Sequence, residues 1–167
     1  MKVLNNVLAE QLVDVLELVN GIETLQLLYP ALTKVAEDKL ANKGLDLGFL
    51  FEGQTSETLA ELEKTQKEFW NISRTTAEFL YNFIVDAKSQ SIVEVGTSNG
   101  YSGIWLGKAL KQTGGKMMTI EFYDKRLDVA KANFEKCGVG DIITTRKGDA
   151  ATILEYLPED FEIDFAF

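Results

Sequence analysis

Histidine is absent from the 167-residue sequence, and there is a single cysteine, Cys137. Without histidine, the chain lacks the side chain that most often serves as a general base and as a metal ligand. One cysteine excludes an intrachain disulfide and a thiol-rich metal site, and we interpret Cys137 as a small, half-buried hydrophobic residue. Any metal bound here would depend on oxygen ligands.

Long apolar runs and clustered positive charges are also missing. No run approaches the roughly 18 uninterrupted apolar residues of a membrane span, and no signal-peptide core follows Met1 and Lys2. We therefore expect a cytoplasmic protein with no membrane partner. The net charge is −9, and because Lys and Arg are scattered, nucleic acid is a poor candidate partner. A hydrophobic content of 46% predicts a soluble globular protein with a substantial core.

The first part of the chain is predicted to be helical. Apolar residues recur at helical spacing from Leu4 to about Leu50. Glycines indicate a loop over residues 45–55, which is followed by a helix from Glu57 to about Glu68. We therefore expect a helical N-terminal cap over residues 1–69 that packs with a second unit over residues 70–167.

A longer amphipathic helix is predicted over Asn71–Ala87. Asn71 or Ser73 can cap its first amides. One apolar stripe should pack against the sheet that follows, and it contains Phe79, Leu80, Phe83 and Ile84.

From Ser91 onward, strands alternate with helices. Strands are predicted at Ile92–Val95, Met117–Glu121, Ile142–Arg146 and Phe161–Phe167. The helices between them are predicted at Tyr101–Lys111, Asp124–Cys137 and Ala151–Tyr156. This alternation predicts parallel strands with right-handed crossovers. Because the sequence stops inside an apolar strand, we expect either a C-terminally truncated chain or a missing partner.

The strongest local signal is a glycine-bearing turn between a strand and a helix, within residues 93–103. Gly96 would let the backbone leave the strand with unusual torsions, and Gly100 would remove a side chain where a ligand approaches. Gly103 and Gly107 would let the helix lie close to the sheet. A tight turn without a ligand is the alternative, but acidic residues nearby favour a binding site.

Those acidic residues lie at the carboxyl ends of predicted strands, where ligands bind in open α/β sheets. Glu121 ends the second strand and could accept hydrogen bonds from both ribose hydroxyls of an adenosine, although a surface carboxylate is the alternative. Glu94 would lie in the crevice and face a cationic or hydrogen-bond-donating ligand group. Asp149 could cap the next helix or face an adenine amine, and both roles are compatible.

Dinucleotide binding is the main competitor, because an acidic residue at the end of the second strand also serves NAD. The dinucleotide fingerprint requires glycine at position 98, where Ser98 stands. Glu94 would also repel a phosphate. These two residues disfavour an NAD-linked oxidoreductase.

Residues 93–103 resemble the first motif of class I S-adenosylmethionine-dependent methyltransferases. The Thr-Ser-Asn-Gly-Tyr-Ser version is similar to that of the catechol and caffeoyl-CoA O-methyltransferases, O-methyltransferase family 3. The similarity continues at residues 119–121, 131–139 and 148–150, and covers roughly Trp70–Phe167. It implies a Rossmann-like α/β fold with a parallel sheet in the strand order 3-2-1-4.

The resemblance also implies S-adenosylmethionine as the cofactor and a set of residues that bind it. The methionine and sugar part would be lined by Glu94, Gly96, Gly100 and Ser102, with Thr97 and Ser98 in the same turn and Ser73 near the methionine tail. The ribose would contact Glu121, and the adenine would contact Asp149 and Ala150.

The activity implied by this resemblance is transfer of a methyl group to a hydroxyl oxygen of a small molecule, chiefly by holding the two reactants in line. A divalent cation, Mg or Ca, would assist in the full-length protein, and a homodimer is a further expectation. The family's metal ligands and catalytic lysine would follow Phe167, so we assign no catalytic residue and no metal ligand. The alternative is a non-catalytic nucleoside-binding or oligomerisation module of the same fold.

Overall fold

The computed structural model describes residues 51–167 of the chain. The helical cap predicted over Leu4–Leu50, and the part of the predicted loop before residue 51, lie outside the described residues. The proposed division of the chain at residues 69 and 70 stays a prediction.

Within residues 51–167, three helices precede the sheet: α1 (Gln54–Lys64), α2 (Gln66–Phe69) and α3 (Arg74–Ala87). The prediction of a single helix from Glu57 to Glu68 is therefore wrong, because the helix is interrupted at Thr65. The Thr65 hydroxyl donates to the Leu62 carbonyl over 2.8 Å. A side chain that bonds back to the helix in this way competes with the backbone hydrogen bonds of the next turn.

Helix α3 begins where a predicted cap residue lies. Ser73 is the N-cap, and its hydroxyl oxygen accepts a hydrogen bond from the Thr76 amide over 3.1 Å. Asn71, the other candidate, instead donates from its side chain to the Leu62 carbonyl over 3.0 Å. Ser73 thus satisfies one of the orphan amides at the start of the helix.

Replacing Ser73 with alanine is expected to lower the free energy of unfolding by about 1 kcal/mol, because the Thr76 amide loses its acceptor. Urea unfolding followed by circular dichroism measures the change. Ser73→Asp keeps a capping oxygen and serves as the control, so equal destabilisation by both substitutions would contradict the role of the cap.

The packing face of α3 differs from the predicted stripe. Its buried residues are Ala77, Leu80, Tyr81 and Ile84. Phe79 and Phe83 were predicted to be part of the packed stripe, but they are 38% and 45% exposed. The helix offers two adjacent apolar stripes, and the one at positions i, i+3, i+4 and i+7 from Ala77 is buried. Phe83 lies at the border and contacts Phe165, with ring centroids 5.5 Å apart.

The sheet contains β1 (Ser91–Val95), β2 (Lys116–Glu121), β3 (Ile143–Lys147) and β4 (Phe165–Ala166). All pairings are parallel and the order is β3-β2-β1-β4, which confirms the predicted fold class and order. The connecting helices are α4 (Tyr101–Thr113), α5 (Asp124–Lys136) and α6 (Ala150–Glu155). The third strand starts one residue later than predicted, because Ile142 closes a short 3-10 turn.

The fourth strand is much shorter than the predicted Phe161–Phe167. Before it, the Asp164 carboxylate accepts hydrogen bonds from the amides of Gln90 and Ser91, the former over 2.6 Å. The Ser91 hydroxyl donates to the Glu162 carbonyl. These side-chain contacts hold the segment across the start of β1, so regular pairing begins only at Phe165.

The core lies on both faces of the sheet. Residues alternate along β1, so that Ile92 joins the cluster formed with α3 and α4, while Val93 joins a smaller cluster with Met118 and Ile120. Trp105 of α4 is fully buried in the larger cluster. Within residues 51–167, no helix combines the length and apolar character needed to cross a membrane.

Candidate functional site

The carboxyl ends of β1, β2 and β3 meet at one edge of the sheet and form an open cleft. Backbone bonds hold the three segments together: the Gly96 amide donates to the Ile120 carbonyl over 2.8 Å, and the Gly148 amide donates to the Glu121 carbonyl over 3.0 Å. The cleft is lined by Val95, Gly96, Ile120, Glu121, Phe122, Gly148, Asp149 and Ala150. Its volume is about 170 Å³, below the roughly 300–1000 Å³ of complete small-molecule sites. It is therefore too small to enclose a whole drug-sized ligand.

Gly96 lines this cleft at the point where the chain leaves β1. Its φ of +97° confirms the predicted change of torsion as the chain leaves β1, a conformation that disfavours residues with a Cβ atom. A Cβ atom at Gly96 would meet no atom within 4 Å. The space in front of Gly96 is therefore free for a ligand.

Gly100 has a different role from the predicted one. A Cβ atom there would lie 2.8 Å from the Phe134 ring and 3.2 Å from the backbone of Ala130. Gly103 faces the same ring at 2.8 Å. Packing against helix α5 therefore explains the glycine at this position, and contact of its backbone with the cofactor stays a prediction.

Glu121 lies at the floor of the cleft and is 6% exposed. Its carboxylate accepts one hydrogen bond from the Ser98 amide over 2.8 Å and one from the Tyr123 amide over 3.0 Å. A carboxylate offers about four lone-pair positions. About two remain for a ligand, and the same group also orders the turn that follows β1.

Glu94 is buried beneath α4, with 1% exposure. It was predicted to lie in the crevice, but it is not among the residues that line the open cleft. Because side chains alternate along a strand, Glu94 points to the opposite face from Val95, which does line the cleft. Its two carboxylate oxygens accept hydrogen bonds from the hydroxyls of Ser102 and Thr119, each over 2.5 Å. Burial raises the pKa of Glu94 from 4.5 to about 7, while both hydroxyls lower it and the charge of Glu121 raises it further.

Asp149 caps helix α6, one of its two predicted roles. The amide and the hydroxyl of Thr152 both donate to Asp149 Oδ1 over 2.9 Å. Both hydrogen bonds lower the pKa of Asp149, and the one from the amide has the larger effect. Because both use the same oxygen, Oδ2 remains available at the wall of the cleft.

A family model described as O-methyltransferase matches residues 52–167, which is more than half of the chain. The chain belongs to the O-methyltransferase family. The match to the family model begins before Trp70, where the recognisable sequence motifs start. The family model therefore also covers helices α1 and α2.

Two curated relatives of this O-methyltransferase chain illustrate the similarity. Catechol O-methyltransferase from Niastella koreensis is 32% identical over 90 residues, covering 54% of this chain and 40% of the relative. Caffeoyl-CoA O-methyltransferase from Petroselinum crispum is 30% identical over 119 residues, covering 66% and 49%. The chain thus spans about half the length of these relatives or less.

Solved structures show the same fold. The O-methyltransferase from Bacillus cereus in complex with SAH has a TM-score of 0.56 and 31% identity, covering 66% of this chain and 53% of that one. The O-methyltransferase TomG from Streptomyces achromogenes in complex with SAM has a TM-score of 0.61 and 26% identity, covering 72% and 56%.

The cleft brings together four of the predicted site residues: Gly96, Glu121, Asp149 and Ala150. Ser98 joins them through its amide, and its hydroxyl donates to the Phe69 carbonyl over 3.0 Å, which ties the turn to α2. Ser102 and Thr97 contact the buried hydrogen-bond network around Glu94 instead. Ser73 caps α3 and is not part of the cleft lining.

Besides Val95 and Ile120 of the cleft lining, two residues of the site that carry a usable signal were missed from the sequence. Phe122 lines the cleft and is 62% exposed, and an aromatic residue directly after a strand-end acid was its signal. Thr119 is fully buried and bonds to Glu94. A lone polar residue within the apolar strand Met117–Ile120 was the available signal, since buried polar groups need partners.

The part of the chain that the structure describes offers no cluster of metal ligands. Among residues 51–167, no group of three or more His, Cys, Asp or Glu side chains could hold a metal ion. The described residues therefore do not fit the divalent cation that the resemblance implies, and no chemical step is assigned to one here.

Proposed function

We propose that the cleft binds S-adenosylmethionine and that the protein transfers its methyl group to a hydroxyl oxygen of a small molecule. The observation that carries this proposal is the carboxylate of Glu121 at the floor of the cleft, at the carboxyl edge of a parallel sheet. Family membership and relatives in complex with SAH and SAM support the same cofactor.

The cleft suits the nucleoside part of that cofactor. The free lone pairs of Glu121 would accept hydrogen bonds from the two ribose hydroxyls. Asp149 Oδ2 would accept from the adenine amine. The exposed side chains of Val95 and Phe122 offer apolar surface to the flat base.

The rest of the cofactor would lie along the turn after β1. Gly96 leaves open space beside the strand end, so the chain approaches closely there without a side chain in the way. Ser102, at the first turn of α4, keeps acceptor capacity after donating to Glu94. The cofactor supplies an electrophilic methyl group when bound, and the contribution of these residues is to hold and orient it.

The proposal also includes the methyl acceptor, the oligomeric state and the cellular location of the protein. The curated relatives are named as catechol and caffeoyl-CoA O-methyltransferases, which supports a small phenolic acceptor. Homodimer formation, cytoplasmic location and metal assistance from residues outside 51–167 are further parts of it. The alternative, a nucleoside-binding module without methyl transfer, predicts cofactor binding with no methylated product from any phenol.

Replacing Glu121 with alanine is expected to weaken binding of S-adenosylhomocysteine by about 10- to 100-fold, because hydrogen bonds to a charged group contribute about 1.5–3 kcal/mol. Isothermal titration of the purified chain measures the dissociation constant. Glu155→Ala removes an exposed carboxylate from α6 and is the matched control. NAD is titrated in parallel and should not bind.

Because Glu121 also orders the turn after β1, each variant is first checked by circular dichroism. Equal affinities of a folded Glu121→Ala variant and the wild-type chain would refute the assignment of the ribose site. Preferential binding of NAD would refute the proposed cofactor.

A further inference from the structure

A buried chain of hydrogen bonds connects the turn after β1 to Glu94 through Thr119. Thr119 is fully buried in the middle of β2. Its hydroxyl lies 2.5 Å from Glu94 Oε2 and 2.6 Å from the Thr97 hydroxyl. On the other side of the carboxylate, the Ser102 hydroxyl lies 2.5 Å from Oε1.

The ionised state of Glu94 sets the direction in which these hydrogen bonds are donated. A carboxylate only accepts hydrogen bonds, so Thr119 must donate its single proton to Glu94. The Thr119 oxygen can then only accept from Thr97. When Glu94 is ionised, the order of donation is therefore Thr97 to Thr119 to Glu94, with Ser102 donating from the opposite side.

Thr97 belongs to the turn that the proposed cofactor would contact. The backbone of this turn, residues 96–100, is bonded to the Ile120 carbonyl through the amides of Gly96 and Thr97. The Ser98 amide is bonded to Glu121. Ser98 has a φ of +50°, which is uncommon for a residue with a side chain, so these contacts hold the turn in an unusual conformation.

We propose that Thr119 is a positioning residue for this turn: its hydroxyl joins Thr97 to Glu94, so that the turn adopts its binding conformation when Glu94 is ionised. This inference rests on the proposed function only in taking S-adenosylmethionine as the ligand of the turn. The link between Thr119, Thr97 and Glu94 exists without any ligand.

Protonation of Glu94 would disrupt the order of donation. If the proton lies on Oε2, the carboxyl group donates to Thr119 and the order reverses to Glu94, Thr119, Thr97, so that the Thr97 hydroxyl proton loses its acceptor. If the proton lies on Oε1, the Ser102 hydroxyl proton loses its acceptor instead. The pKa of Glu94 is about 7, so this change falls near neutral pH. Around Glu94, β2 presents Thr119 and the charged Glu121, α4 presents Ser102, and α5 presents the Phe134 ring beside Gly103.

The first test uses the ligand-free chain. Amide chemical shifts of Thr97 and Ser98 are followed by NMR from about pH 5.5 to 8.5, near the pKa of Glu94. The wild-type chain should show a step near pH 7 that is absent from Glu94→Gln. Thr119→Val removes a hydrogen bond that lowers the pKa of Glu94, so its step should move to higher pH and become smaller. Thr119→Ser should restore the wild-type step.

A matched control lies on the neighbouring strand. Thr145 is the register partner of Thr119 and is only partly buried. Thr145→Val makes the same chemical change next to the network and should leave the midpoint unchanged. If valine acted only by perturbing the sheet, the pH midpoints of Thr119→Val and Thr145→Val would either both stay unchanged or both shift.

The second test repeats these measurements with S-adenosylhomocysteine. If only the ionised form binds, the wild-type affinity should fall about tenfold from pH 8 to pH 6, since the competent fraction falls by that factor. Glu94→Gln should lack this dependence, and Thr119→Val should show it at higher pH.

The outcomes separate the two proposals. Unchanged midpoints in Thr119→Val, or a step that persists in Glu94→Gln, would overturn the role of Thr119 whether or not the ligand binds. A wild-type affinity that is constant from pH 6 to 8 would overturn the link between ionisation and binding. The expected ligand-free steps without any binding of S-adenosylhomocysteine would refute the proposed cofactor and leave the Thr119 network standing.

Discussion

Replacing Gly100 with alanine is expected to lower the free energy of unfolding by about 2–5 kcal/mol, which combines the strain of a left-handed residue with overpacking. The φ of Gly100 is +86°, and a Cβ atom would lie 2.8 Å from the Phe134 ring and 3.2 Å from the backbone of Ala130. The ring is fully buried and Ala130 is part of α5, so neither can move away easily. Urea unfolding measures the loss.

Gly96 supplies a matched control for this prediction. It also has a positive φ, +97°, but a Cβ atom there would meet nothing within 4 Å. Gly96→Ala should therefore lower the free energy of unfolding by only about 1–2 kcal/mol, from strain alone. In the proposed function its methyl group would enter the cleft and weaken cofactor binding. Equal destabilisation by the two substitutions would show that packing against α5 is not what requires glycine at position 100.

Glu94 should make the stability of the protein fall as pH rises from about 4.5 to about 7, by up to about 3 kcal/mol. Its pKa is raised in the folded state, chiefly by burial, so the unfolded chain ionises first as pH rises. In that interval the folded state binds more protons, and stability is lost with increasing pH. Above about pH 7 both states are ionised and the loss is complete.

The measurement compares the wild-type chain with Glu94→Gln at several pH values by urea unfolding. The glutamine is neutral throughout, so the variant should gain stability relative to the wild-type chain between pH 5 and pH 8. Glu155→Gln changes an exposed carboxylate and should show little such gain. A wild-type-to-variant difference that stays constant with pH would mean that Glu94 titrates as an ordinary carboxyl group.

This stability cost and the proposed role of Thr119 are two consequences of one arrangement. A carboxylate buried among hydroxyls destabilises the folded state when it is ionised, yet the same ionised group orders the donors that reach Thr97. Functional sites commonly retain groups whose pKa is shifted in this way. The proposal therefore predicts that Glu94→Gln is more stable and also loses the pH dependence of cofactor binding.

Local signals in the sequence predicted several features correctly. Ser73 was one of two candidate caps because a hydroxyl before an amphipathic segment is typical of a helix start. The positive φ of Gly96 follows from a glycine at the end of an apolar strand. The strand order follows from the implied family fold, in which each crossover has one hand. The position of Glu121 at the cleft follows from that order, because parallel strands end at one edge.

The errors concern contacts between elements that are distant in the sequence. The missing side chain of Gly100 was explained by a ligand because nothing near it in the sequence shows that Phe134 occupies the space of a Cβ atom. Glu94 was placed in the crevice because the face it points to depends on which side α4 covers. The fourth strand was predicted too long because Asp164 binds the amides of Gln90 and Ser91, more than 70 residues earlier.

For this protein, the sequence by itself determined most of the elements within residues 51–167, the parallel sheet and the group of loops at its carboxyl edge, since each depends on hydrophobic period, turn residues or chain direction. Only the tertiary structure decided which glycine faces the cleft and which faces a helix. It alone joined Thr97, Thr119 and Glu94 into one network, because these residues meet through the pairing of β1 with β2. Burial and hydrogen-bond partners arise from that packing, and they set the ionisation of Glu94.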